Sequence, residues 1–169
     1  MEATFIHLHT HSEYSILDGA IKTEELVAAA YNNKMPAVAL TDHGNVFGAV
    51  SFFRQAHERQ IKPILGCEIY VAPRSRFEKK AEREGPIHHH LLLLVKDETG
   101  YKNLCELITG AYLEGFYYRP RIDKELLAKH NEGLIGLSGC LKGEVSSYLA
   151  VGLEDKAEEA ALEYAALLG

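Results

Sequence analysis

Cysteine is scarce in this 169-residue chain, and Cys67, Cys105 and Cys140 are an odd number, lie far apart and form no C-x-x-C pair. That spacing argues against a secreted disulfide framework and against a zinc ribbon, and makes a reducing, cytoplasmic setting the expectation. Long apolar runs are missing as well. The longest aliphatic stretch, Leu91 to Val95, is far short of the roughly 20 residues that cross a bilayer. The start, Met-Glu-Ala-Thr-Phe-Ile-His, has neither the basic nor the apolar part of a signal peptide, so no membrane partner is expected. Positive charge is in deficit: 18 Lys and Arg against 24 Asp and Glu leave −6, which excludes a grip on nucleic acid by bulk electrostatics. Neither G-x-x-x-x-G-K-[ST] nor G-x-G-x-x-G occurs to cradle a nucleotide, and no G-x-S-x-G elbow supports a serine hydrolase.

What is present is the mixture of one globular domain, 47% hydrophobic and 25% charged. A chain of this length buries roughly 70% of its unfolded surface and needs no staples. Short apolar runs alternate with amphipathic stretches, which predicts an α/β fold with parallel strands. The expected strands are Phe5 to His9, Ala37 to Thr41, Pro63 to Val71, His90 to Val95 and Leu134 to Leu137. Helices are expected after a Thr23 cap, over Val46 to Arg59, over Gly100 to Tyr112, after Asp123 and over Leu153 to Leu168. Arg74 to Glu84, with five basic and three acidic residues, reads as a solvated loop, and no linker divides the chain. Acids concentrate at the end: from Val151 onward five face the single Lys156.

The nine histidines are the unusual number, because six fall in two clusters, His7, His9, His11 and His88, His89, His90. In parallel α/β sheets function collects at the carboxyl ends of strands, and each expected strand brings metal-binding residue types there. They are the first histidine cluster, Asp42-His43, Glu68, His90 and Ser138-Gly139-Cys140. Strand periodicity turns His7, His9 and His11 to one face. Each residue alone has a bland reading: a histidine in an apolar strand is commonly a hydrogen-bonded core residue, and Cys140 a small hydrophobe. Glu68, within Ile64-Leu-Gly-Cys-Glu-Ile-Tyr-Val71, is harder to explain so, because a carboxylate in that apolar context is costly to bury unless paired or bound to a cation.

One zinc accepts about four ligands and this set holds more, so more than one divalent ion is expected. Imidazole with carboxylate suits Zn, Mn or Fe, whereas an oxygen-only Mg site does not need so much histidine. Paired ions of this kind serve phosphoester hydrolysis, one activating water and its neighbour stabilising the leaving oxygen. Arg119 and Arg121, on an expected short loop, could hold a phosphate bidentately; ordinary pairing with acids such as Asp123 is the alternative.

These residues resemble a known family, the polymerase and histidinol phosphatase (PHP) domain, in the version at the N-terminus of bacterial replicative DNA polymerase III alpha subunits. The resemblance runs through nearly the whole chain. It rests on Leu8-His-Thr-His-Ser12 with Ser15-Ile-Leu-Asp-Gly-Ala20, on Leu40-Thr-Asp-His-Gly-Asn45 and on Lys62-Pro-Ile-Leu-Gly-Cys-Glu-Ile-Tyr-Val-Ala72. It continues in His90-Leu-Leu-Leu-Leu94, Gly100-Tyr-Lys-Asn-Leu104, Gly115-Phe-Tyr-Tyr-Arg-Pro-Arg-Ile-Asp123 and Leu137-Ser-Gly-Cys-Leu-Lys-Gly-Glu144. The resemblance implies a distorted (β/α)7 barrel. It also implies that His9, His11, Asp18, His43, Glu68, His90 and Cys140 are ligands of a trinuclear site, with His7 beside it and His90 preferred to His88 and His89. The implied activity is a metal-dependent 3′-to-5′ exonuclease acting on a DNA 3′ end. The implied partners are other replicase subunits, a proofreading subunit among them.

One departure bears on length. The family's last ligands form an Asp-x-His motif, and this sequence contains none. Residues 1–169 are therefore expected to be an N-terminal piece of a longer protein, truncated before the last barrel strands and without the polymerase module. Two other functions stay open: a stand-alone phosphatase of a small phosphomonoester, and a scaffold with vestigial ligands.

Overall fold

A computed structural model describes residues 5–79 and 85–169 as two compact units, one ending at Cys67 and the other beginning at Glu68. The boundary falls inside a single strand.

The first unit is built on α1 (Thr23–Asn32), β1 (Ala37–Leu40), α2 (Ala49–Glu58) and the start of β2 (Lys62–Val71). Leu26, Val27 and Ala30 recur at helical spacing on α1 and meet Val38, Leu40, Phe52, Ala56 and Ile61 in one buried cluster. Thr23 opens the helix rather than capping it; the Lys22 amide donates to the Glu25 carboxylate instead. The helix ends where Lys34 takes a positive φ of 55° and Met35 precedes proline, which disfavours helical backbone. Parallel pairing of β1 with β2 runs from Ala37 opposite Lys62 to Leu40 opposite Leu65.

The expected strand over Phe5 to His9 does not form as regular structure. The segment is extended and follows β1, since the Ala39 and Thr41 amides donate to the carbonyls of His7 and Thr10 at 2.9 Å. However, the Thr10 amide is taken by the Thr41 hydroxyl at 2.8 Å, so a side chain replaces the backbone partner a ladder requires.

The second unit carries the rest of β2, then β3 (His89–Val95), α3 (Glu98–Leu113), β4 (Arg121–Ile122), α4 (Lys124–Lys129), β5 (Leu134–Leu137), α5 (Glu144–Ala150) and α6 (Glu154–Leu168). Strand β3 lies between β2 and β5, and successive side chains of its His-His-Leu-Leu-Leu-Leu run are all buried, so both of its faces are covered. β4 lies parallel to β2, Tyr70 opposite Arg121. β5 is antiparallel to β3, Val95 opposite Leu134, which departs from the expected parallel sheet. The cause is local. Gly133, at φ 74°, brings its carbonyl to the Lys96 amide, so β5 starts where β3 ends. Gly100 allows that approach, because a Cβ there would lie 1.9 Å from the Gly133 oxygen.

The loop from Arg74 is not simply solvated. Arg76 is buried and donates to both Asp123 oxygens at 3.0 and 3.1 Å and to Glu114 at 2.6 Å, while Asp123 caps α4 through the Leu126 amide. Lys80 to Glu84 lie outside the described residues. β4 and α5 were not expected from the sequence; at two and seven residues they are too short for periodicity to reveal.

Candidate metal centre

In the first unit, His9 and His11 follow the extended segment and their ring nitrogens lie within 4.8 Å of each other. The rings meet edge to face at 4.9 Å, and His11 stacks on His43 at 4.1 Å. His43 Nε2 lies 2.9 Å from the Asp18 carboxylate, which fixes the ring and its tautomer in the way carboxylates orient ligand histidines. Four of the seven predicted ligands are thus brought together here.

Their scaffold is Asp42, which the sequence reading placed among the metal-binding residue types at the strand ends but not among the ligands. It is 1% exposed and accepts from the Ser12 amide at 2.7 Å, the Ser12 hydroxyl at 2.8 Å and the Ser15 hydroxyl at 2.7 Å. Ser15 in turn accepts from the His43 amide at 3.1 Å, and Cys67 donates to the Asp42 carbonyl. One buried carboxylate therefore positions the loop of His11 and Asp18 against His43. Its sequence signal was the pair of serines spaced three apart next to the histidines. Gly19 lets that loop close, since a Cβ would fall 1.9 Å from the Ser12 oxygen.

In the second unit, Glu68 and His90 are both buried, with Glu68 Oε1 2.5 Å from His90 Nδ1. Cys140 Sγ lies 3.9 Å from each of those atoms. The thiol is presented by a tight turn: Gly139 has a φ of 81°, the Gly143 amide donates to the Cys140 carbonyl at 2.9 Å, and the Lys142 carbonyl receives the His90 amide at 2.9 Å. A carboxylate, an imidazole and a thiol gathered at this spacing form a donor set that fits a divalent metal ion.

His88 and His90 stack at 5.7 Å, Tyr70 meets both edge-on, and the Arg119 guanidinium lies 5.9 Å from the Tyr70 ring. Burial, then the nearby His90 and Arg119, push His88 down to about 4, so this ring is neutral near pH 7. Arg121 does not match its predicted role. It is 2% exposed, and its guanidinium donates to the carbonyls of Gly115, Ile87 and Glu78, which leaves no face for a phosphate. Nor does Asp123 pair with Arg119 or Arg121 as the alternative reading held, because Arg76 occupies it. Arg119 is exposed.

No helix among the described residues is long and apolar enough to cross a membrane. The chain is 55% identical over 152 residues to DNA polymerase III subunit alpha of Chlamydia trachomatis, which covers 90% of the chain and 12% of that protein. It is 51% identical over 166 residues to the subunit of Treponema pallidum, covering 98% and 14%. Identity to the subunit of Aquifex aeolicus is 48% over 164 residues, covering 94% and 14%. The chain thus spans a small part of the length of these relatives. The family model for the PHP domain matches residues 7–169, a range that takes in every predicted ligand and both clusters. By that match and by the α/β architecture that carries it, the chain belongs to the PHP domain family.

Proposed function

We propose that residues 1–169 are the N-terminal metal-dependent phosphoesterase domain of a replicative DNA polymerase III alpha subunit, and that in the whole protein the domain removes nucleotides from DNA 3′ ends. The reading is carried by the gathering of metal-ligand residue types into two compact clusters in a chain of the PHP family. His9, His11, Asp18, His43, Glu68, His90 and Cys140 are the proposed ligands, for two or three divalent ions of Zn, Mn or Fe. Such ions, when bound, activate water and offset the charge of a phosphate ester.

The chain's own residues supply orientation. Asp18 fixes the His43 ring, Glu68 fixes the His90 ring, and Asp42 holds the loop of the first cluster in place. Arg119, exposed beside Tyr70, is assigned to the phosphate in place of the buried Arg121. The proposed partners are a DNA 3′ end and the other replicase subunits, including a proofreading subunit, in the cytoplasm.

Elemental analysis and 3′-nucleotide release by the full-length polymerase chain test the assignment. Bound Zn, Mn or Fe and release from a single-stranded 3′ end are expected; in the His9→Ala/His11→Ala variant release falls to background and the metal content drops. Unchanged release in that variant would favour a scaffold, and preference for a sugar phosphate would favour a small-molecule phosphatase.

A further inference from the structure

Beside the first cluster the surface carries aromatic rings that the metal ligands do not use. Phe47 is 70% exposed and Phe53 is 48% exposed, on either side of the exposed Val50. Positions 50, 53, 54 and 57 follow helical spacing on the outer face of α2, and Phe47 stands in the turn that leads into it, with Arg54 and His57 among the rings. At the loop end, Tyr14 meets Phe47 edge to face at 6.5 Å. At the far end, His57 stacks on Phe53 at 6.5 Å.

The near end of the stripe is tied to the candidate ligands. Asn45 Nδ2 donates to the Tyr14 carbonyl at 3.2 Å and to the His43 carbonyl at 2.9 Å, so one amide holds the first ring and a proposed ligand in register. Gly48 provides the bed for the ring, because a Cβ there would lie 2.9 Å from Tyr14 Cδ2. The stripe is not purely apolar: Arg54 and His57 stand among the rings, so flat aromatic faces alternate with cation-forming side chains. Stacking on such faces is worth about 1–3 kcal/mol per base and is indifferent to sequence. It also needs no basic field, which suits a chain of net charge −6.

We propose that Tyr14, Phe47 and Phe53 form a stacking track for the last few bases of a single-stranded nucleic acid, leading its 3′ end to the cluster of His9, His11, Asp18 and His43. The inference rests on the phosphoesterase reading for the use of the track, though not for its existence. The test uses the full-length chain and a single-stranded oligodeoxynucleotide with 5-iodouracil in its last three positions. Photocrosslinks mapped by mass spectrometry are expected on Tyr14, Phe47 or Phe53. In Phe47→Ala/Phe53→Ala the crosslink yield is expected to drop, and KM for the oligonucleotide to rise, by about five-fold or more; Phe47→Tyr/Phe53→Tyr, which keeps the rings, restores both.

Hydrolysis of a nitrophenyl ester of thymidine monophosphate by the wild-type chain scores the ester chemistry separately. Crosslinks on the rings without any hydrolysis would uphold the track and sink the phosphoesterase reading. Hydrolysis with crosslinks elsewhere, or with an Ala variant indistinguishable from wild type, would overturn the track.

Discussion

Asp42 shows what one side chain carries in this protein. Its carboxylate is buried and accepts from three donors, each of which would be stranded by truncation. A stranded buried donor costs about 1–3 kcal/mol, so Asp42→Ala is expected to lower unfolding free energy by about 3–5 kcal/mol, read as a lower urea midpoint. The same variant should loosen the His11–His43 stack. At this scale the sequence was legible wherever the chemistry is unusual. A carboxylate at Glu68 in an apolar strand called for a partner, and His90 provides one. It was not legible for Arg121, whose guanidinium looks the same in sequence whether it faces a phosphate or three carbonyls.

Elements in the second unit are joined by close backbone approach and by charge. Gly100 lets the first turn of α3 touch the Gly133 carbonyl, and a methyl group there has no room. Gly100→Ala is expected to cost about 1–3 kcal/mol, seen as a lower melting temperature, because both sides of the contact are backbone. Lys124 joins α4 to α5 and α6 through Glu144 and Glu163. Burial pulls its ammonium down, but the bonds it donates to Glu163 and Glu144 outweigh that and hold it above the ordinary lysine value of 10.5. The folded state therefore binds this proton more tightly than the unfolded chain does. Its stabilising contribution is complete below pH 10.5 and is lost as pH rises through the folded value. Urea titrations of Lys124→Met should accordingly lose less stability than wild type over that alkaline range. Long elements such as α1, α3 and α6 were legible from periodicity, whereas β4 and α5 exist because their neighbours hold them.

For the whole molecule, the expected consequence of metal binding is thermodynamic as well as catalytic. A ligand that binds only the folded chain at 100 times its Kd stabilises by about 2.7 kcal/mol. Thermal melts with and without Mn²⁺ or Zn²⁺ should therefore differ by several degrees, and the difference should vanish with a chelator and shrink in His9→Ala/His11→Ala. A fold that held these residues for structure alone would show no metal-dependent shift in either chain.

The sequence by itself determined the class of chemistry and most of the elements, because residue types with a strong preference for metals or for one backbone period show through without tertiary context. The strand over 63–71 belongs there, as does the resemblance that the family match bears out; His9, His11, His43, Glu68 and His90 show through as metal-binding residue types, and their role as ligands is the proposal above. Tertiary structure alone decided which polar groups are already committed. It turned the extended Phe5 to His9 segment from a strand into a half-paired edge through the Thr41 hydroxyl, reversed β5 through Gly133, buried Arg76 and Arg121, and made Asp42 the support of the first cluster. The physical reason is common to all of these: a hydrogen bond between distant residues depends on which groups the folded backbone brings within about 3 Å, and no local pattern encodes that distance.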